Sequence, residues 1–68
     1  MKDVMTPAEV KEARKYLKMT SEELGEELGV TGNTVRRWEC GVKTPSRLAV
    51  KFLRRLVEDE KELHAVPA

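Results

Sequence analysis

The stretch Ser21-Glu-Glu-Leu-Gly-Glu-Glu-Leu-Gly-Val-Thr-Gly-Asn-Thr-Val-Arg-Arg-Trp-Glu-Cys-Gly41 decides the fold. It reads as helix, tight turn, helix. Thr20 is an N-cap, and Glu23 three residues later completes a capping box. Leu24 and Leu28 lie four apart and share a face. Gly29 stops the first helix, because the residue after a helix often takes a positive φ that glycine adopts without steric penalty. Val30 points inward from the turn, and Thr31 caps the next helix.

That next helix, about Gly32 to Cys40, has two faces. Steps of 100° per residue put Val35, Trp38 and Glu39 on one side and Asn33, Arg36, Arg37 and Cys40 on the other. An apolar inner face beneath an outer face of Asn and two Arg is what a groove-reading helix needs. At 1.5 Å per residue it is roughly 13 Å long, a match for a B-DNA major groove about 12 Å wide. Gly41 ends it.

Outward from this stretch, the first helix starts at Thr6-Pro7-Ala8-Glu9. Thr6 is its cap, Pro7 its first residue and Glu9 the partner in a second capping box. Val10, Ala13 and Leu17 form its inner stripe, with Tyr16 at the edge and Arg14 close by. Residues 1–5 read as a flexible lead-in. On the other side, Val42-Lys43-Thr44 is a loop. The fourth helix is expected to begin with Thr44 as cap and Pro45 in its first position. Leu48, Ala49, Phe52, Leu53 and Leu56 are its expected core stripe. Val50, Leu53 and Val57 form a second strip, which either meets a second copy of the chain or closes over the first helix. Residues 59–68 are expected to be a short C-terminal helix or tail, and Pro67 bars regular helix at the end.

The residues Thr20, Leu24, Leu28-Gly29-Val30-Thr31, Thr34-Val35, Trp38-Glu39, Gly41 and Pro45, in this order and spacing, resemble the helix-turn-helix of the Cro/phage-repressor (XRE) family. The likeness runs from about Val10 to Leu56. It implies an all-α, compact four- to five-helix bundle of the lambda-repressor-like DNA-binding type, over residues 6–58. By this resemblance Gly32, Asn33, Arg36 and Arg37 face base edges. Asn33 suits adenine N6/N7 and Arg37 suits guanine O6/N7, while Arg36 reaches a base or a phosphate. Ser21, Thr34, Cys40, Lys43 and Arg47 fall near phosphate positions. Ser21 stands where the family often has glutamine, and Gly25 where it usually has alanine, with the recognition helix crossing close by. Arg14 and Glu39 match a structural ion pair that ties the first helix to the end of the recognition helix.

Charge distribution agrees with this placement better than net charge, which is only +1. Residues 1–29 are net −2, residues 30–56 net +6, and the tail from Val57 net −3. The basic middle follows the turn, where phosphate contacts are wanted. Lys51, Arg54 and Arg55 serve equally well as solvating charges. Glu22, Glu23, Glu26 and Glu27 read as the exposed face of the second helix.

Other chemistries find little support. Sixty-eight residues make one small domain. One cysteine allows no internal disulfide and fits a cytoplasmic setting. There is no span-length apolar run and no signal-peptide core. His64 and Cys40 lack zinc-like spacing, and no nucleophile–base set or phosphate-cradling glycine loop appears. The expectation is therefore no enzyme, no cofactor and no metal. The expected function is a sequence-specific double-stranded DNA-binding regulator, a repressor by default of the family, acting as a homodimer. The alternative is an antitoxin-type module that binds a toxin as well as its own promoter. Single-strand binding has weak support, since only three aromatics occur.

Overall fold

The computed structural model describes residues 4–64, and the backbone alone for His64. Four helices and no strand make up these residues: α1 Pro7–Tyr16, α2 Ser21–Leu28, α3 Gly32–Cys40 and α4 Arg47–His64. The all-α helix-turn-helix bundle is thus the fold observed. α4 continues past the expected boundary at 58/59 to His64, and among the described residues no separate fifth helix follows. Ala65 to Ala68, with Pro67, lie outside the described residues.

Local chemistry fixes the helix starts. The Thr6 hydroxyl accepts from the Glu9 amide at 3.1 Å, and the Glu9 carboxylate accepts from the Thr6 amide at 2.8 Å. Thr20 and Glu23 repeat the arrangement at 3.1 and 2.9 Å. The Thr31 hydroxyl accepts from the Thr34 amide at 3.2 Å. α4 departs from expectation. Its cap is Ser46, whose hydroxyl accepts from the Ala49 amide at 3.1 Å. Thr44 and Pro45 precede the helix, and Pro45 is buried. A residue before proline is pushed toward extended backbone, so Thr44 is poorly suited to start a helix, whereas Ser46 is free to do so.

The turns are equally specific. Gly29 has φ 76°, and the following Val30 amide donates to the Gly25 carbonyl at 2.8 Å. A Cβ on Gly25 would lie 2.6 Å from the Val30 carbonyl oxygen. What crosses close to Gly25 is therefore the turn backbone at Val30 and Thr31, not the body of α3. After α1 the same kind of wrap occurs without glycine. Lys18 has φ 58°, its amide donates to the Lys15 carbonyl, and Met19 donates to Arg14.

Val10, Ala13, Leu24, Val35, Trp38, Ala49 and Leu53 form one core cluster drawn from all four helices. Fully burying one such aliphatic side chain is worth about 1.5–3 kcal/mol. The α4 stripe is rotated from the expected one. Val50 and Leu53 are fully buried and Val57 packs on the core, while Leu48 and Phe52 are 63% and 51% exposed. The strip Val50–Leu53–Val57 is therefore spent inside the domain, where α4 packs on α1 and α2. The large apolar residues that α4 leaves outside are Leu48, Phe52 and, near its end, Leu63 at 71% exposure. The lead-in is partly engaged: Met5 packs on the core, and the Val4 carbonyl accepts from Arg54 at 3.2 Å. This contact gives Arg54 a structural task. Met1 to Asp3 lie outside the described residues.

Candidate nucleic-acid interface

The candidate interface centres on α3 and the elements that hold it. Val35 is fully buried and Trp38 is 4% exposed, which pins one side of the helix in the core. Asn33, Arg36, Arg37 and Cys40 are exposed on the other side. The burial of Trp38 removes it as a platform for stacked bases.

An ion pair sets the far end of α3. Arg14 Nε donates to Glu39 Oε2 at 2.6 Å and Nη2 donates to Oε1 at 3.1 Å. A third donor, Nη1, reaches the Met19 carbonyl at 3.1 Å. The two side chains retain 20% and 10% exposure. Hydrogen bonding to Glu39 raises the Arg14 pKa, against the opposing effect of burial. Desolvation of each charge is thus met by a two-pronged partner. The pair joins α1, α3 and the α1–α2 turn at one point.

The near end of α3 is set by Glu22, whose role at α3 sequence reasoning missed. Arg36 Nη1 donates to Glu22 Oε2 at 2.7 Å. A Cβ on Gly32 would meet Glu22 Cγ at 2.9 Å and Glu22 Cα and Cδ at 3.0 Å. Gly32 is therefore bare because α2 lies against it, and the space beside it belongs to Glu22. Arg36, together with the Glu22 backbone amide, holds the Glu22 carboxyl below the usual carboxylate range. The available signal was the glycine itself: a missing side chain in the first turn of α3 leaves room for a neighbour's.

The remaining candidates are distributed as follows. Asn33 and Arg37 are exposed on α3. Thr34 is half-buried, and its hydroxyl lies 3.0 Å from that of Thr31, so it shares in the helix cap. Ser21 is half-buried at the first position of α2. Cys40 is an exposed free thiol. Lys43 is exposed in the loop after α3, where its amide donates to the Arg37 carbonyl at 3.3 Å. Arg47 is exposed at the start of α4.

Among the described residues no group of three or more His, Cys, Asp or Glu is placed to hold a metal, and no helix is long and apolar enough to cross a membrane. A groove of about 460 Å³ opens between α1 and α4, lined by Met5, Tyr16, Arg54 and Val57 among others, and no α3 residue lines it.

Comparison with known proteins agrees with this geometry. The sequence model of the Helix-turn-helix family matches residues 10–56. A Type II methyltransferase, M1.ScrFI of Lactococcus lactis subsp. cremoris, is 40% identical over 52 residues. That match covers 72% of this chain and 13% of the methyltransferase, so the likeness concerns a small part of that protein. No solved structure matches the chain significantly. With two-thirds of its residues inside the family match and α2–turn–α3 at its centre, the chain belongs to the XRE-type helix-turn-helix family of DNA-binding domains.

Proposed function

We infer that this domain is a sequence-specific double-stranded DNA-binding transcriptional regulator, placing the outward face of α3 in the major groove. The observation that carries the reading is the division of α3. Val35 and Trp38 anchor it, while Asn33, Arg36 and Arg37 stand exposed together. Asn33 reads adenine, and Arg37 reads guanine through two parallel hydrogen bonds. Lys43, Arg47 and the N-terminal amides of α2 at Ser21 supply phosphate contacts that fix the register. Thr34 and Cys40 border the same face. The setting is cytoplasmic, and repression by occupying a promoter is the default action.

The regulator acts as a homodimer, with two α3 helices in successive major grooves about 34 Å apart. The contact surface is the exposed face of α4 carrying Leu48 and Phe52. Exposed Lys51 and Arg55 flank it near the start of α4, and exposed Glu58, Asp59 and Glu62 flank it further on. A second copy laid antiparallel would set the basic half of one helix against the acidic half of the other.

Selection from a random duplex DNA pool at near-physiological salt tests the reading. A palindrome with half-sites one turn apart supports the dimeric regulator. A single enriched half-site refutes the dimer and keeps DNA reading. No enrichment, with only weak salt-sensitive binding, refutes sequence-specific reading and favours the antitoxin-type protein module. The methyltransferase likeness favours a second reading, in which the same domain is the DNA-reading part of a longer modifying protein. Selection would then still enrich a site, and promoter repression by the domain would be absent.

A further inference from the structure

The outward face of α3 carries cations, yet one of them is already paired. We propose that Glu22 is a specificity-determining residue of the DNA interface, which converts Arg36 from a free cation into an oriented reader of a base edge. This rests on the DNA-binding reading above.

Three observations converge on Glu22. It lies in the first turn of α2, and its carboxylate takes a 2.7 Å hydrogen bond from Arg36 Nη1. Its Cα, Cγ and Cδ occupy the space that any side chain at position 32 would need. The pair is also on the surface, with side-chain exposures of 66% for Glu22 and 52% for Arg36. The carboxylate therefore stands beside the base-reading positions, not beneath them.

The consequence follows from charge and geometry. An unpaired exposed arginine is drawn to whichever phosphate is nearest, on any sequence, and displaces counterions there. A carboxylate beside it removes that net charge and repels phosphate. Nη1 is committed to Glu22, and among the described residues Nε and Nη2 make no hydrogen bond. Nε and Nη2 form one edge of the guanidinium, with two parallel donors. That edge matches guanine O6 and N7, and this bidentate contact carries sequence information. Gly32 contributes no side chain, so Glu22, paired with Arg36, stands in the space where a side chain from position 32 would reach.

The test compares the wild-type domain with Glu22→Gln, Arg36→Gln and the double variant, each first confirmed folded by its melting curve. Each is put through selection from a random duplex pool, then titrated against the selected duplex and a scrambled duplex over a range of salt. In the wild type, one G·C pair should depend on Arg36, with about 5- to 150-fold discrimination there. Glu22→Gln should bind the scrambled duplex more tightly, with a salt slope steeper by about 0.9 as Arg36 gains a phosphate. It should also lose most of the preference at that one pair. In the Arg36→Gln background, Glu22→Gln should change that preference no further. If wild type enriches a site but Glu22→Gln keeps the same preference, the inference falls and DNA reading stands. The inference also falls if the preference is lost equally with and without Arg36. If wild type enriches nothing, both fall together.

Discussion

Arg14 on α1 and Glu39 on α3 meet through two parallel hydrogen bonds of 2.6 and 3.1 Å, although 25 positions separate them in sequence. Neither side chain is on the exposed face of α3; the pair ties the end of α3 to α1 and to the α1–α2 turn. Glu39→Ala leaves a mostly buried guanidinium with only the Met19 carbonyl as partner. The cost should exceed that of an ordinary charged hydrogen bond and fall short of a fully buried orphan charge, at about 2–3 kcal/mol. For a domain of this size, Tm should fall by roughly 10–20 °C. DNA affinity measured well below the lowered Tm should change little. Unchanged melting with lost DNA binding would place Glu39 in the interface instead.

The contrast between this pair and the Glu22–Arg36 pair shows what the sequence makes legible. Arg14–Glu39 was readable because both residues occupy family positions and Glu39 lies on the inner arc of α3. Capping boxes at Thr6 and Thr20 and the stop at Gly29 were readable because each is local, decided within four residues. The rotation of α4 was not. Leu48, Ala49, Val50, Phe52, Leu53, Leu56 and Val57 are apolar around so much of that helix that periodicity admits two stripes. Only packing on α1 and α2 selects the one through Val50 and Leu53. Lys18 gave no signal either, since nothing in a lysine announces φ 58°. Glu22 was hidden among four glutamates, because its neighbour is defined by the crossing of α2 over Gly32.

Arg37→Ala tests base reading directly. Arg37 is exposed on α3 with Asn33, and no ion pair holds it among the described residues. Loss of a bidentate guanine contact should cost about 1–3 kcal/mol of specific binding and relax preference at one base pair. Titration against a set of duplexes, each altered at one position, reads both effects. Weakening that is uniform over all duplexes, with a shallower salt slope, would make Arg37 a phosphate contact.

Gly25→Ala sets helix propensity against a close approach. Alanine should gain up to about 1 kcal/mol within a helix. Its Cβ, however, would lie 2.6 Å from the Val30 carbonyl oxygen and 2.9 Å from the Thr31 carbonyl carbon, both backbone atoms. Relief requires moving the turn, which strains the Val30 amide bond to the Gly25 carbonyl. Overpacking of this kind costs about 1–3 kcal/mol or more. The net expectation is a loss of about 1–2 kcal/mol, read as a lower Tm. A rise in Tm would mean the turn yields easily.

Phe52→Glu addresses the second copy. Phe52 is 51% exposed and outside the core cluster, so the folded monomer should change by no more than about 0.5 kcal/mol. A charge at that position would disrupt an apolar contact between two α4 helices. Sedimentation should show wild-type dimers and variant monomers at the same concentration. The variant should keep half-site binding and lose the added affinity for a palindrome. Dimers that survive the substitution would move the contact away from this face.

The Glu22 titration gives a check that needs no DNA. Its carboxyl is lowered first by the hydrogen bond from Arg36, then by its own backbone amide and by the Arg36 charge. A carboxylate with a depressed folded pKa contributes stability at pH above its unfolded value. That contribution disappears as pH falls through the folded value. Both side chains are more than half exposed, so the effect on melting should be slight. The midpoint itself, followed by carboxyl carbon NMR, is the sensitive quantity. Arg36→Gln should move it up toward the usual carboxylate value, and incompletely, because the backbone amide remains. High salt should move it in the same direction by screening the exposed charge. A midpoint indifferent to Arg36→Gln would mean that Glu22 does not hold Arg36 in solution, and that Arg36 is free to find a phosphate.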